Sequence, residues 1–395
     1  MISTLKRHAR VIALGVVGAV AAFFVFGGFW RGRKFGGPYD AVPRDSFLVA
    51  TVNLAELRRS PLYDVLFGKD AKGAGPSEKP MLNARALGMG KLADACGFDP
   101  LSRVEDLAIA VPEEGDKGEF GVAARVTVTR DELSTCTTRL AEQRGGKVET
   151  KDVGSFTVLE DASSIEAARP RLAYGHGGLL VVGRGAWFDA MLAAADGKRP
   201  GAREAQAHVA MRSSLTSRDG WRAPTLLVSA VLPQSLRNRI KSEMGAEIGS
   251  KDDSQNVMGG VLGVSTVGLA LRAGESGQSI DGAIELVCDT EEACAAVEKL
   301  ILKKRLDWSK ELTLRMVGLG PLLDSIQVAR PESSGGAPGP RIRVTAGAAA
   351  DTLASTIERV LRLTSHSRGR ADAVPTPSTD EPKPDEKLPA PPPSR

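Results

Sequence analysis

The segment that most constrains this chain is an apolar run near its start. Val11–Trp30 holds twenty consecutive residues without a charged side chain. At ~1.5 Å of rise per residue, a helix of this length covers ~30 Å, which is the thickness of the hydrocarbon core of a bilayer. Basic residues flank the run on both sides. The run therefore predicts a transmembrane helix over residues 11–30.

Other interpretations of this run fit it less well. A cleaved signal peptide has a basic start and small residues at the cleavage point, and Ala19-Val20-Ala21 supplies such residues. However, the region after a cleavage site is polar, whereas Phe23 and Phe24 continue the apolar run, and no cysteine follows for lipid attachment. A buried core helix rarely lacks charge over this length. We therefore predict an uncleaved signal-anchor.

The charges beside the run constrain the orientation only in part. Three Lys or Arg side chains precede the run and three follow it closely, so the positive-inside rule alone favours neither side. The α-amino group adds positive charge to an N-terminal segment of ten residues, which is typical of a signal-anchor. We predict that residues 1–10 are a cytoplasmic tail and that the bulk of the chain lies outside the cytoplasmic (inner) membrane. The opposite orientation is the alternative.

Small residues give the predicted membrane helix one face on which a second helix could pack. Gly15, Gly18, Ala19 and Ala22 have the small-xxx-small spacing that lets two membrane helices approach closely. Gly and Ala are also common in membrane helices that do not associate. An oligomer formed through this helix is therefore an option that the sequence leaves open.

The charge of the remaining chain excludes one class of partner. The whole chain carries a formal charge of +4, but residues 1–34 contain six Lys or Arg and no Asp or Glu, so the remainder carries −2. A nearly neutral net charge in the soluble part does not suggest the basic surface that is typical of nucleic-acid binding. We expect no nucleic-acid partner.

An internal repeat is the most informative pattern in the soluble part. Val104–Val111 and Val264–Leu271 have the same apolar spacing, and a glycine-containing turn follows each. A second strand comes next in both cases, at Val122–Val128 and Ile280–Val287, and then a helix. The repeat predicts an α+β fold with two similar, duplicated domains.

Several residues are placed to begin helices. Thr129 and Glu132 have the spacing of a capping box. Asp131 and Asp289 are interpreted as acidic caps of the two equivalent helices, and Asn53 is placed to cap a short helix at the end of the first strand.

The repeat and the composition divide the chain. The predicted divisions are a spacer over 31–43, a first domain over 44–199, a partly helical linker over 200–220, a second domain over 221–363 and a tail over 364–395. The hairpins predict mainly antiparallel sheets with helices on one face, and the longer strand–helix–strand returns allow a parallel pair. Eight of the last 25 residues are Pro, which predicts a disordered tail.

The four cysteines do not form a metal motif. Cys96, Cys136, Cys288 and Cys294 contain no CxxC pair, which disfavours zinc and thioredoxin-like sites. Cys136 and Cys294 lie at equivalent places on the apolar faces of the two repeated helices, as buried small hydrophobes would. Cys288 precedes Cys294 by six residues, so an exported protein could join these two. The sequence leaves both options open.

The histidines and the short motifs do not converge on a reactive site. His8, His176, His208 and His366 are scattered, and none has a second histidine or a carboxylate at metal-ligand spacing. Gly88-Met-Gly90-Lys91 lacks the first glycine and the Ser or Thr of a phosphate loop. We therefore predict no catalytic, cofactor-binding or metal-binding residue, no cofactor, and a protein that is not an enzyme.

Two segments of the first repeat resemble a group of bacterial proteins. Phe47–Leu57 with Ser60-Pro-Leu62, and Gly97–Leu101 leading to Val104–Leu107, are similar to segments of uncharacterised membrane-anchored envelope proteins that are abundant in myxobacteria. The resemblance also includes the N-terminal anchor. It implies a location in the cell envelope, and it implies neither an activity nor site residues.

These observations lead to one expectation and two alternatives. We expect a membrane-anchored envelope protein whose ectodomain binds or scaffolds another envelope protein or component without catalysis. One alternative is an enzyme whose site is assembled from distant residues, with clustered polar groups and shifted pKa values in a deep pocket. The other alternative is a cytoplasm-facing membrane scaffold.

Overall fold

A single antiparallel sheet of 12 strands dominates the fold. The computed structural model describes residues 37–60, 63, 90–113, 119–163, 170–216, 224–245, 260–273, 278–316, 318–331, 339–353 and 355–356. These residues form a mixed α+β structure, which confirms the predicted fold class at that level. The predicted membrane helix over 11–30 and the predicted tail over 364–395 lie outside the described residues. Within the described ranges, no helix is both long and apolar enough to cross a membrane.

The described residues form strands and helices, and several strands follow one another directly along the chain. The strands are β1 (Ser46–Asn53), β2 (Val104–Pro112), β3 (Gly121–Val126), β4 (Val148–Val153), β5 (Phe156–Asp161), β6 (Arg171–Gly175), β7 (Leu179–Gly183), β8 (Leu226–Val231), β9 (Val264–Ala273), β10 (Ser279–Cys288), β11 (Gln327–Ala329) and β12 (Arg341–Ala349). The helices are α1 (Leu54–Leu57), α2 (Gly90–Cys96), α3 (Pro100–Arg103), α4 (Arg130–Glu142), α5 (Gly185–Ala195), α6 (Gln206–Thr216), α7 (Gln234–Gly245), α8 (Glu291–Lys310), α9 (Leu312–Met316) and α10 (Gly320–Ser325). Short 3-10 turns lie at Pro38–Ala41 and Ala202–Glu204.

The sheet runs without interruption through both halves of the chain because β1 pairs with β8. This ladder extends from Leu48 opposite Ala230 to Val52 opposite Leu226. Outward from it, the strand order is β2-β3-β7-β6 on one side and β9-β10-β12-β11 on the other. The same order of five strands therefore occurs twice about the central ladder, and β5 and β4 extend the first side. All pairings between these described strands are antiparallel.

Helices pack on both faces of the sheet, so the prediction that they cover one face is wrong. Successive strand residues point to opposite faces. Ala50 packs in a cluster with Leu133 of α4, whereas its neighbour Val49 packs in a second cluster with Phe188 of α5. The central strands carry apolar residues on both faces of the sheet. Residues 107–110 of β2, for example, are all buried. A sheet covered on both faces has this pattern.

Two predicted helix starts are confirmed. The Asn53 side chain accepts a hydrogen bond of 2.9 Å from the Glu56 amide at the start of α1. Thr129 and Glu132 form a complete capping box before α4. Both interactions use amides that have no partner within the helix.

The prediction of acidic caps is wrong. A threonine is the N-cap of both equivalent helices, and the Thr290 side chain accepts from the Ala293 amide at 3.2 Å. Asp131 lies inside the first turn of α4, and Asp289 forms an ion pair with Arg237 instead. The threonine hydroxyl satisfies the helix amide, which leaves the neighbouring aspartate available for other partners.

The range predicted as a linker contributes to the core. Helix α6 lies within residues 200–220, and its Met211 and Leu215 pack with Leu227 and Ala270 of the second half. A side chain at Gly268 would overlap the sulfur of Met211, so this glycine lets α6 approach β9 closely. The helix therefore fixes the position of the central ladder.

The sequence pattern does not predict two of the strands, and both lie at the edges of the sheet. β4 reads Val-Glu-Thr-Lys-Asp-Val and is mostly exposed, and β11 contains three residues. Natural sheets keep their edges charged or short, which prevents further strands from adding. Such edges lack the apolar alternation by which strands are recognised.

Candidate functional site

The continuous sheet creates an open cleft where the two halves meet. The cleft has a volume of about 280 Å³. It is lined by Arg44, Asp45, Ser46, Phe47, Glu113, Ala205, Gln206, Ala207, His208, Val231 and Pro233. These residues come from the start of β1, the end of β2, the start of α6 and the end of β8.

The antiparallel β1–β8 ladder explains why these segments meet. Because the two strands run in opposite directions, the first residues of β1 lie beside the last residues of β8, as Leu48 opposite Ala230 shows. A hydrogen bond of 2.6 Å from the Ser235 hydroxyl to Glu113 Oε1 also links the two halves at this end. Phe47, Val231 and Pro233 give the cleft apolar surface. Exposed charged and polar side chains lie around it.

His208 forms the inner wall of the cleft and is buried. Its Nε2 lies 2.8 Å from the carbonyl oxygen of Ser46, and its Nδ1 lies 2.8 Å from Ser229 Oγ. A carbonyl can only accept, so Nε2 carries the proton and Nδ1 accepts from the serine hydroxyl. Burial lowers the pKa of His208, partly opposed by the hydrogen bond to Ser46. The imidazole is therefore a neutral link between α6, β1 and β8.

An imidazole that accepts from a serine hydroxyl is also the arrangement of a nucleophile and its general base. Ser229 is 0% exposed and His208 is 1% exposed. The hydroxyl is therefore closed to a substrate by α6. We conclude that the His208–Ser229 pair holds α6 against strands β1 and β8, where the two halves meet.

A second set of contacts fixes the same helix further along. The Arg212 guanidinium donates to Thr51 Oγ1 at 2.7 Å and to the Leu227 carbonyl at 3.3 Å. Its Cζ lies 4.5 Å from the centre of the Tyr39 ring, within the range of a cation–π contact. Burial lowers the pKa of Arg212, and burial raises the pKa of Tyr39. Arg212 thus joins β1, β8 and the turn that leads into β1.

The end of α6 meets a buried carboxylate. Glu285 of β10 is 0% exposed. It accepts from Ser214 Oγ at 2.8 Å, from Arg343 Nε at 2.9 Å and from Arg341 Nη1 at 3.3 Å. A buried ion is tolerated when paired and hydrogen-bonded in this way. The cluster holds α6 to β10 and β12 and is a structural feature.

A second open cleft, of about 250 Å³, lies between α4 and strands β5 and β6. Arg144, Glu160 and Arg171 are among its lining residues. Arg171 makes a two-pronged ion pair with Asp189 at 2.8 and 2.9 Å, and its guanidinium stacks 4.4 Å from the Phe188 ring centre. This arginine is held by its own neighbours, so the cleft between the halves is the better candidate for binding.

All four cysteines are joined in pairs. Cys288 is bonded to Cys294, with a Cα–Cα distance of 5.5 Å, and Cys96 is bonded to Cys136. The first pairing was one of the two options that the sequence left open. The sequence does not predict the second, because 40 residues separate its partners. Cys136 and Cys294 are buried, as expected, but they are not free thiols.

The other histidines and the glycine-rich segment do not come together with His208 in the described residues. His176 is exposed in the turn between β6 and β7, whereas His8 and His366 lie outside the described residues. Gly90 and Lys91 begin α2, and the two residues before them are not described. Among the described residues, no group of three His, Cys, Asp or Glu side chains is placed to hold a metal.

The sequence does not reveal the position of His208, one of its four scattered histidines. This side chain lines the cleft, but its partners Ser46 and Ser229 lie 162 and 21 residues away in the chain. No local spacing signals such contacts.

Comparison with protein families, curated proteins and solved structures finds no match to this chain.

We predict that His208 makes stability depend on pH. Its pKa is lowered in the folded state, whereas an unfolded histidine titrates near ~6.5. Below that pH the unfolded chain binds more protons, so the free energy of unfolding falls as the pH falls, by at most about 1.4 kcal/mol per pH unit. Above about pH 7 the contribution is constant.

The measurement is denaturant unfolding of the full chain at pH 5 and pH 7. The His208→Gln variant should lose about 1–3 kcal/mol at pH 7, because it disturbs two buried hydrogen bonds, and should show a smaller difference between the two pH values. His176→Gln, on an exposed turn, is the matched control. An unchanged pH dependence in His208→Gln would contradict the assignment.

Proposed function

We propose that this chain is a membrane-anchored, exported envelope protein that binds another envelope protein or component without catalysis. Residues 11–30 would anchor it in the cytoplasmic membrane, with the N-terminus inside and both repeats outside. The resemblance to membrane-anchored envelope proteins of myxobacteria supports the same location. The cleft between the repeats is the proposed binding site.

The observation that carries the export proposal is the state of the cysteines. Both halves contain a disulfide, and each ties the helix that follows the hairpin (α4 or α8) to a neighbouring element. Disulfides persist in oxidising compartments and are rare where thiols are kept reduced. Two structural disulfides therefore favour the orientation that places residues 35–395 outside the cytoplasm over the cytoplasm-facing alternative.

The chemistry of the cleft supports binding to a protein segment. Its surface combines apolar side chains, such as Phe47 and Val231, with exposed Arg44, Glu113 and Gln206. An apolar centre with a polar rim is the usual anatomy of a protein–protein interface. The buried Ser229 and His208 beneath it contribute rigidity, which limits the entropy lost on binding.

We predict that the folded chain contains no free thiol when isolated from its membrane. Alkylation under denaturing, non-reducing conditions should modify none of the four cysteines, and peptide mapping should recover Cys96–Cys136 and Cys288–Cys294. A reporter that is active only outside the cytoplasm, fused after Leu363, should be active, and the chain should keep its uncleaved mass. Four free thiols with an inactive reporter would overturn the export proposal and favour the cytoplasmic scaffold.

We predict that a partner contacts the rim of the cleft. A photo-crosslinking amino acid in place of Gln206 should give a discrete adduct in the intact envelope. The same amino acid in place of Thr150, on the exposed edge strand β4, is the matched control and should not. An equal pattern of adducts from both positions, or none from Gln206 in a chain that is folded and exported, would contradict the binding site.

A further inference from the structure

The second half of the molecule carries an exposed apolar surface on one helical segment. Nine large apolar side chains are exposed among the described residues, and five of them lie within residues 302–316. Leu306 is 59% exposed, and Leu312 and Met316 are each 71% exposed. Scattered single apolar side chains are ordinary on a protein surface, but a concentration of them marks an interaction site.

Lysines alternate with these apolar residues on the outer side of α8. Lys299, Leu302, Lys303, Leu306 and Lys310 each lie three or four residues from another member of the set and therefore share one face. We call this face the lysine–leucine stripe. All five of its residues are exposed.

The other side of α8 faces the core. Cys294 and Val297 are buried in a cluster with Ile342 of the sheet. The stripe is therefore the solvent side of a helix that is already fixed in place, and no refolding is needed to present it. Residues 299–316 contain six Lys or Arg and two Asp or Glu, so the segment is basic although the soluble part as a whole is not.

We propose that the lysine–leucine stripe lies on the surface of an anionic phospholipid bilayer. A helix that binds in the membrane interface buries Leu side chains in the headgroup region, while Lys side chains contact anionic lipid. Lysine stems reach along apolar surface and keep the ammonium in water. The positive charge of the segment is complementary to such a surface.

A protein groove is the competing occupant, and the stripe fits it less well. Protein interfaces are depleted in Lys, especially at their centres, whereas lysines here lie between and beside the two leucines of the stripe. The proposal rests on the membrane location proposed above, but it does not depend on which side of the membrane the chain occupies. It adds a second, peripheral contact with lipid to the predicted anchor.

The test uses the full chain in lipid nanodiscs with an environment-sensitive dye. Because the four native cysteines are paired, the Leu306→Cys variant supplies a single thiol for labelling. Thr150→Cys on the exposed strand β4 is the matched control. One set of discs contains phosphatidylcholine alone, and the other contains added phosphatidylglycerol.

We expect the dye at position 306 to brighten and shift to the blue in anionic discs, and the dye at position 150 to be unchanged. A lysine near an anionic surface contributes about fivefold to binding. Adding Lys303→Glu should therefore lower the ratio of chains with the stripe on the bilayer to chains with the stripe in water, as the dye reports it, by at least about fivefold. High salt should weaken the signal in the same way.

Co-elution of the chain with phosphatidylcholine discs tests the anchor separately. If the chain co-elutes but the dye at position 306 does not respond to anionic lipid, the stripe proposal is overturned while the anchor stands. A response that is equal in both kinds of disc and insensitive to Lys303→Glu would also overturn it. So would a dye that responds to an envelope protein fraction and not to lipid.

Discussion

The ladder between β1 and β8 is the interaction on which the rest of the structure depends. It joins segments from the two halves of the chain and turns two five-strand arrangements into the centre of one sheet. Without it, both strands would present unpaired amides and carbonyls at an edge, which is costly when buried and prone to association when exposed. The cleft between the halves exists because this ladder sets the start of β1 beside the end of β8.

Helix α6 secures the ladder with polar contacts at both ends and apolar contacts between them. His208 and Arg212 bind β1 and β8, Ser214 binds Glu285, and Met211 packs on the strands between. Buried polar groups such as these are costly unless every partner is in place. The polar contacts of α6 therefore favour one position of this helix. That position in turn favours one geometry of the cleft and of the sheet on which α8 packs.

Local features of the fold could be predicted from the sequence, whereas long-range pairings could not. The capping box at Thr129 and the cap at Asn53 depend on residues within one turn, and both are confirmed. The pairing of β1 with β8 and the bond between Cys96 and Cys136 join residues distant in sequence, and apolar periodicity carries no information about such partners. The packing of helices on a second face could not be predicted, because central strands that are apolar on both faces show no alternation. The candidate site shares this limit, since Phe47, Glu113, His208 and Val231 meet only after the sheet has formed.

The most direct test of this account is residue-resolved amide hydrogen exchange of the full chain across the central ladder. Amides of β1 and β8 that donate to one another should exchange among the slowest in the molecule, and far more slowly than those of the exposed edge strand β4. That result would show that the two halves form one cooperative sheet with a preformed cleft. Exchange across the ladder as fast as that of β4 would show that the halves separate, and it would contradict both the continuous sheet and the binding site built on it.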